Sequence, residues 1–406
     1  MQIRKEGPTA LACRHALVLV EPMITEIRVK NFRGIGEEKI ELDRLTVLVG
    51  RNGAGKSSVV DALRFLRDAV TVGLDDAILH RHGIVSLRRW SPTKPYDIGM
   101  ELTSEQTSFY GHYQFTLASL PDGGFKVKHE ACSVRRGNRT FEFEREGEKL
   151  RMSGNSGQPT RRLDRLALAL PALAIFNPEL SRLRAQLRSL GFFAIFPNTL
   201  REPQKPSAQK ILSEHGENLA TVIRELKSKK PDAMEAIIAA LDNVVGGIRD
   251  IRVQQVGGFL ATELKHVMSS KHCAWFDLSQ ESDGTLRMLG LLVALHQGQR
   301  SFLAIEEPEL TLHPGALAVL SDVLGEVANR GQLLITTQSP DLIARFPADQ
   351  LRVVEREDGL TCIGKIAEDQ RQTINDQLFS AGDLLRIEGL RRESTVGRVA
   401  EAAHAE

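Results

Sequence analysis

Several features that mark particular classes of protein are scarce in this 406-residue chain. Its four cysteines lie far apart and include no C-x-x-C pair, which argues against a zinc site and a disulfide framework and fits a reducing cytoplasm. They are Cys13, Cys132, Cys273 and Cys362. No heptad pattern is sustained, so a long coiled-coil arm is not expected. Arg14 and His15 interrupt the apolar segment 10–20, which is therefore too short for a signal peptide or a membrane span.

Net charge is also nearly absent, because 53 Lys plus Arg oppose 52 Asp plus Glu and leave +1. Overall charge therefore predicts no polyanionic partner. Positive charge is concentrated between residues 130 and 210, which hold 15 Lys plus Arg and 8 Asp plus Glu. This segment is either a nucleic-acid-binding face or a solvated helical face. Its arginines include Arg135, Arg136, Arg139, Arg161, Arg162, Arg165, Arg182, Arg184 and Arg188.

The distribution of apolar residues indicates how the chain is organised. Buried-strand patterns with intervening helices occur at both ends of the chain, which favours one α/β sheet assembled from N- and C-terminal segments. The strand-like runs at 97–144 predict an antiparallel meander, and 162–190 and 207–245 are predicted to be largely helical. The expected divisions are a disordered leader at 1–22, an N-terminal part of the main domain at 23–150, a mainly helical insertion at 151–247, a C-terminal part at 248–390 and a disordered tail at 391–406.

Residues 50–57 (GRNGAGKS) form a complete phosphate-binding loop. It follows the predicted strand Thr46–Val49 and precedes a helix with an apolar face. In this setting, backbone N–H groups and a helix N-terminus converge on one anionic group. Lys56 supplies a charge to the β- and γ-phosphates of a nucleoside triphosphate, and the Ser57 hydroxyl can bind Mg²⁺. The remaining residues expected to cradle the phosphates are Asn52, Gly53, Ala54, Gly55 and Ser58.

Two adjacent carboxylates end a second apolar strand, in the sequence FLAIEEP at residues 302–308. Beside a phosphate loop, Glu306 can hold the Mg²⁺ shell, and Glu307 can orient or deprotonate the attacking water. Such acid pairs are also common in turns, so this interpretation depends on the phosphate loop.

Five segments in this order resemble the ABC-type ATPase head of the group that includes RecF, the SMC proteins and the OLD-family ATPases. They are 27–34 (IRVKNFRG), the phosphate loop, 282–285 (SDGT), 306–308 (EEP) and 336–340 (TTQSP). The resemblance covers about half of the chain. It implies an α/β fold of the P-loop NTPase class, an ABC head with a mixed sheet built from N- and C-terminal segments and with an inserted β-meander plus a helical lobe.

The resemblance also implies an ATP-sandwich homodimer. Ser282 and Gly284 of one subunit would cap the γ-phosphate held by Lys56 of the other, although Ser282 is also a good helix N-cap. Asn31 and Arg33 correspond to residues at the edge of the nucleotide, and Arg33 is otherwise a surface charge.

One position departs from the family pattern. Gln338 stands where a histidine usually contacts the γ-phosphate, and a glutamine can donate a hydrogen bond there but carries no charge. Turnover is therefore expected to be slow or to depend on a partner. Gln106 and Gln114 are the candidates for the lid-loop glutamine. The nuclease domain of the OLD proteins is not expected, because no D-x-D pair follows Gln338.

Two functions are compatible with these features. The first is an ATPase with ATP and Mg²⁺ as cofactors, acting as a switch on DNA in repair or anti-phage defence beside a separate effector. The second is an ATP-dependent scaffold that hydrolyses slowly and holds a nuclease or toxin partner without binding DNA. A membrane-transporter ATPase fits less well, because those heads lack the 31–34 (NFRG) start.

Overall fold

The computed structural model describes residues 23–120, 123–153, 163–269, 272–298 and 300–393. The predicted leader at 1–22 and most of the predicted tail, 394–406, lie outside the described residues, as do Arg161 and Arg162. Within the described ranges no helix is long and apolar enough to cross a membrane.

The strands begin with those of the N-terminal half, which include the predicted meander. They are β1 (Met23–Phe32), β2 (Ile35–Glu41), β3 (Leu45–Val49), β4 (Ile98–Gln106), β5 (Phe109–Ser119), β6 (Phe125–Arg136), β7 (Arg139–Glu146) and β8 (Lys149–Met152). The later strands are β9 (Leu190–Phe193), β10 (Ile248–Val256), β11 (Phe259–Ser269), β12 (His272–Asp277), β13 (Phe302–Glu306), β14 (Gln332–Thr337), β15 (Leu351–Glu357) and β16 (Leu360–Gly364).

The helices lie between groups of these strands along the chain. They are α1 (Lys56–Thr71), α2 (Leu74–Leu79), α3 (Ile84–Leu87), α4 (Leu170–Leu173), α5 (Pro178–Arg188), α6 (Pro197–Arg201), α7 (Leu219–Lys229), α8 (Pro231–Val245), α9 (Asp283–His296), α10 (Ala316–Arg330), α11 (Pro340–Ile343), α12 (Glu368–Asn375) and α13 (Ala381–Ile387).

One mixed sheet of 13 strands joins the two ends of the chain, in the order β8-β7-β6-β5-β4-β1-β2-β16-β15-β3-β14-β13-β9. Strand β3 pairs in parallel with β14, and β14 pairs in parallel with β13. The fully buried residues of β3 and β14 fit a central parallel arrangement. The meander does not form a separate sheet, because β4 pairs with β1 and so extends the main sheet.

The helical prediction for 162–190 and 207–245 is only partly correct. Helix α5 begins at Pro178, and the segment before it is held by Glu130, whose carboxylate accepts hydrogen bonds from the backbone N–H groups of Ala169 and Leu170. Residues 207–218 are also irregular, since Asn218 uses its side chain to bond to backbone groups in this segment. Side-chain partners for the backbone thus replace helical hydrogen bonds in both places.

The hairpin of β15 and β16 packs closely against the loop between β3 and α1. The Thr361 hydroxyl donates to the Ala54 carbonyl at 3.0 Å. A Cβ atom on Gly55, whose φ is +113°, would lie 2.1 Å from the Thr361 Oγ1. A Cβ atom on Gly50 would lie 2.2 Å from the Val354 carbonyl oxygen. Both positions therefore require glycine, and the loop takes its shape from residues far away in the chain.

We predict that Thr361→Val makes the backbone of residues 51–56 exchange hydrogen faster, measured by hydrogen–deuterium exchange with mass spectrometry. Valine matches threonine in shape but leaves the Ala54 carbonyl without its donor, at a cost of about 1–3 kcal/mol. Thr361→Ser keeps the hydroxyl and is the matched control, with exchange close to that of the wild type. Unchanged exchange in Thr361→Val would show that this hydrogen bond does not hold the loop.

Candidate functional site

The phosphate-loop sequence forms a tight connection between β3 and α1. Gly53, with φ +77°, allows the turn, and Gly55 precedes α1 without a side-chain cap, which leaves the first N–H groups of the helix available. Lys56 is 6% exposed, and its ammonium donates to the carbonyls of Gly50 at 2.7 Å and Arg51 at 3.2 Å. Among the other predicted phosphate contacts, Ala54 is buried, Ser58 is half-buried, and Asn52, Gly53 and Ser57 are exposed.

The acidic pair lies at the carboxyl ends of the parallel strands, the same end at which this loop follows β3. Glu306 at the end of β13 is in register with Thr336 of β14, and Thr336 is in register with Leu48 of β3. Since β13 is two strands from β3, the separation of the strand ends is roughly 10 Å. The parallel register thus directs the phosphate loop and the acidic pair towards the same edge.

Glu307 has an unusual backbone conformation for a glutamate, with φ +44°. Its N–H donates to the Thr336 carbonyl at 2.9 Å, and its own carbonyl accepts from the Arg287 guanidinium at 2.9 Å. Burial lowers the pKa of Lys56, while the charges of Glu307 and Glu309 act in the opposite direction. Lys56 and these two carboxylates therefore share one electrostatic environment.

Glu306 makes a contact that the sequence did not indicate. One of its carboxylate oxygens accepts from the Arg64 guanidinium of α1 at 3.2 Å, and Arg64 also pairs with Glu214. The residue predicted to serve a metal ion is thus connected by an ion pair to the helix that follows the phosphate loop.

Glu309 is a buried acid at this site that the sequence analysis missed. One oxygen of its carboxylate accepts from the Thr337 hydroxyl, and the other oxygen is buried without a hydrogen bond among the described residues. Burial raises the pKa of Glu309. Glu309 therefore connects the loop after β13 to the end of β14, directly before Gln338.

Arg287 is the second residue at this site that the sequence analysis missed. It is 6% exposed on α9, and burial lowers its pKa, against the opposing effect of Glu309 and Glu307. Its hydrogen bond to the Glu307 carbonyl connects the helix opened by the SDGT segment to the acidic strand end. A buried cation stabilises nearby carboxylates more strongly than an exposed one.

The SDGT segment opens α9 as predicted. The Ser282 hydroxyl accepts from the Thr285 N–H at 3.1 Å, so Ser282 is the N-cap, and it is also exposed. A Cβ atom on Gly284 would lie 2.9 Å from the carbonyl oxygen of Thr311, in the loop after the acidic pair. The segment and that loop are therefore packed against each other within one subunit.

Asn31 and Arg33 are both engaged within the chain. The Asn31 side-chain amide donates to the Asp97 carbonyl at 3.0 Å and is 8% exposed, and Arg33 pairs with Asp61 of α1 at 2.7 Å. Gln114 lies in the middle of β5, so it does not belong to a loop, whereas Gln106 is the last residue of β4.

The arginines between residues 130 and 210 that the structure describes are mostly at the surface, although several contact other side chains. Arg182 lies over the Phe109 ring at 5.6 Å, and Arg135 lies over the Tyr110 ring at 5.5 Å. Arg145 is fully buried opposite Glu130, and Arg165 pairs with Glu148. Most of this positive charge therefore lies at the surface, where the exposed arginines are Arg135, Arg136, Arg139, Arg151, Arg165 and Arg188.

Sequence comparisons identify ATPase families and short local likenesses. Residues 23–231 match the AAA ATPase domain family, and residues 139–344 match the family described as AAA domain, putative AbiEii toxin, Type IV TA system. The DNA double-strand break repair Rad50 ATPase of Archaeoglobus fulgidus is 38% identical over 64 residues, which are 16% of this chain and 7% of that protein. An uncharacterized Methanocaldococcus jannaschii protein, MJECL10, is 46% identical over 48 residues, 12% of this chain and 22% of its own. The matches thus span less than a quarter of either relative.

Solved SMC heads resemble the whole structure. An SMC head bound to the C-terminal winged-helix domain of ScpA gives a TM-score of 0.54 at 15% identity, covering 87% of this chain and 100% of that one. A second, from Pyrococcus furiosus, with an extended coiled coil and bound to the C-terminal domain of ScpA, gives 0.52 at 13% identity, covering 88% and 99%. These values show a shared fold. The chain belongs to the AAA ATPase domain family, and its fold is that of the ABC-type head of SMC proteins.

Proposed function

We propose that this protein binds ATP with Mg²⁺ and hydrolyses it between two heads, as a nucleotide-dependent switch in DNA repair or anti-phage defence. The observation that carries the proposal is the shared edge of β3 and β13, where buried Lys56 lies within electrostatic reach of Glu307 and Glu309. A fixed cation beside the N-terminus of α1 suits triphosphate oxygens, and a carboxylate across from it suits an attacking water.

The oxygen donors at this edge fit Mg²⁺, which prefers hydroxyl, carboxylate and phosphate oxygens. Ser57 and Glu306 would hold it, and the bound ion would neutralise charge on the β- and γ-phosphates. Arg64 shares the Glu306 carboxylate, so it competes with a cation for the same group. Glu307 would orient and deprotonate the water, and Gln338 would donate a hydrogen bond to the γ-phosphate.

Homodimerisation is proposed because Ser282 is exposed at the start of α9, where a second head can approach it. The hydroxyl of Ser282 and the backbone N–H of Gly284 would complete the γ-phosphate site of the other subunit. Within each head, Gly284 packs on Thr311, and Arg287 binds the Glu307 carbonyl. Contact with the partner's nucleotide could thus be transmitted to the hydrolytic acid.

A second candidate is a slowly hydrolysing scaffold that holds a toxin or nuclease in an ATP-dependent way. Gln338 favours it, because an amide cannot take the charge that a histidine can carry beside the γ-phosphate. The matching family whose description includes a putative AbiEii toxin is compatible with the same reading. The two candidates differ in turnover and in whether DNA is bound.

The first test is Lys56→Ala. Losing a charged donor to the phosphates should weaken ATP binding in isothermal titration calorimetry by about 10- to 150-fold, given about 1.5–3 kcal/mol for a charged hydrogen bond. Lys365→Ala is the control. It removes a half-exposed lysine that follows β16 and pairs with Glu41, and it should leave the ATP affinity unchanged. Equal ATP affinity in Lys56→Ala and the wild type would refute the assignment of the phosphate loop.

The second test assigns the roles of the two acids. Glu307→Gln should keep ATP binding and stabilise the dimer while hydrolysis falls on the order of 10²-fold or more, because an amide cannot act as a general base. Phosphate release under saturating ATP is the measurement, and Glu326→Gln on the surface of α10 is the control. Normal turnover in Glu307→Gln would show that another group activates the water.

The third test addresses the composite site. In the Glu307→Gln background, Ser282→Arg should leave the ATP affinity of the monomer nearly intact and prevent ATP-dependent dimerisation, because a long cation would occupy the γ-phosphate side of the partner. Sedimentation velocity with and without ATP separates the two states. Ser282→Thr retains the capping hydroxyl and should dimerise. Full dimerisation of Ser282→Arg is the result that excludes the proposed arrangement.

A further inference from the structure

The loop between α3 and β4, residues 88–97 (RRWSPTKPYD), combines cations with exposed aromatic rings. We call it the basic–aromatic loop. No Asp or Glu occurs from Ala77 to Tyr96, so every charged side chain of the loop before Asp97 is positive. Trp90 is 79% exposed and Tyr96 is 37% exposed, which is unusual for such large rings.

The cations of this loop are available to a ligand. No ion pair joins Arg88, Arg89 or Lys94 to a carboxylate among the described residues, and Arg89 instead lies over the Tyr96 ring at 5.1 Å. The preceding Arg81 behaves differently, because it is buried and pairs with two acids of α1. Lys94 is exposed and Arg88 and Arg89 are half-buried, so the loop carries positive charge without an ion-pair partner next to its aromatic rings.

The other tryptophan gives an internal comparison. Trp275 is half-buried on β12, and its ring is covered by Arg252 at 4.1 Å and approached by Lys265 at 5.8 Å. Arg252 also pairs with Glu263. Both the ring and its neighbouring guanidinium thus have partners within the chain. Among the described residues, no cation–π contact involves Trp90, and neither an ion pair nor a cation–π contact involves its neighbour Arg88.

Both ends of the loop are held by Asn31. The Arg89 N–H donates to the Asn31 carbonyl at 2.8 Å, and the Asn31 side chain donates to the Asp97 carbonyl. Pro92 and Pro95 restrict the backbone between these points. The loop is consequently fixed at its base, which reduces the entropy lost when its side chains bind a ligand.

We propose that the basic–aromatic loop binds single-stranded nucleic acid, with bases stacked on Trp90 and Tyr96 and phosphates paired with Arg88 and Lys94. An exposed indole next to cations suits an unpaired base, whose faces are free, and does not suit a duplex, whose bases are already stacked. The loop has no Asn or Gln to read base edges, so binding tolerates different sequences. The site does not depend on ATP hydrolysis, and it differs from the arginines between residues 130 and 210.

The test uses the full chain and a fluorescein-labelled oligothymidylate of about 20 nucleotides, followed by anisotropy at low salt. Trp90→Ala should weaken binding by about 5- to 150-fold, the range for loss of one stacked base. Trp275→Ala is the matched control and should bind like the wild type. Because Trp90 is so exposed, Trp90→Ala should melt within a degree or two of the wild type, which separates loss of binding from loss of folding.

The salt dependence tests the phosphate contacts separately. On a single strand each neutralised phosphate adds about 0.7 to the log–log slope, so the double variant Arg88→Gln, Lys94→Gln should lower the slope by roughly 1.4. In a Trp275→Phe background, oligothymidylate should also quench the emission of Trp90, the remaining tryptophan. Lys56→Ala should keep this binding even where ATP binding is lost, so a failure of the nucleotide assignment is distinguishable.

Three results would overturn the proposal. Equal affinity of Trp90→Ala and the wild type would exclude stacking on this ring. A preference for duplex over single strand would assign the contact to phosphates alone. Absence of binding at low salt, with and without ATP, would leave an acidic protein partner as the better occupant of the basic–aromatic loop.

Discussion

The phosphate loop depends on a contact with a hairpin that comes some 300 residues later in the chain. Strands β15 and β16 lie between β2 and β3 in the sheet, and their residues Val354 and Thr361 leave no space for side chains at Gly50 and Gly55. The glycines alone would permit many loop conformations, because glycine adopts both signs of φ. The hairpin selects one of them. The shape of the phosphate loop is therefore a property of the assembled sheet.

A second consequence of the sheet is that four charged side chains lie close together near the carboxyl ends of its parallel strands. Lys56 and Arg287 are buried near Glu307 and Glu309, and each of these charges would be costly in isolation. Together they are balanced, and they come from the phosphate loop, helix α9 and the loop after β13. A polyanion placed beside Lys56 would disturb this balance, since its charge would compete with both carboxylates for the same cations. The cluster thus gives a physical route by which one loop can affect the others.

Local sequence patterns predicted the elements whose signals are themselves local. Ser282 is the N-cap of α9, and β3 and β13 coincide with the apolar runs predicted before the phosphate loop and the acidic pair. Glu309 and Arg287 were missed because their roles arise from pairing across the sheet, which no spacing in the sequence reveals. The helical prediction for 162–190 was only partly correct for a related reason, since Glu130 on a distant strand binds the backbone there. The roles assigned to Ser57, Glu306 and Gln338 remain predictions.

Asn31 illustrates how one residue can serve two parts of this fold. The resemblance to the ATPase heads implied a place at the edge of the nucleotide, and in the structure its carbonyl and side chain hold both ends of the basic–aromatic loop. Arg33, two residues later in the same turn, donates its backbone N–H to the carbonyl of Leu87, just before that loop. Its side chain forms an ion pair with Asp61 of α1. Both residues have positive φ, so this turn is a defined and poorly adaptable conformation. The turn therefore joins α1, through the ion pair of Arg33 with Asp61, to the base of the basic–aromatic loop.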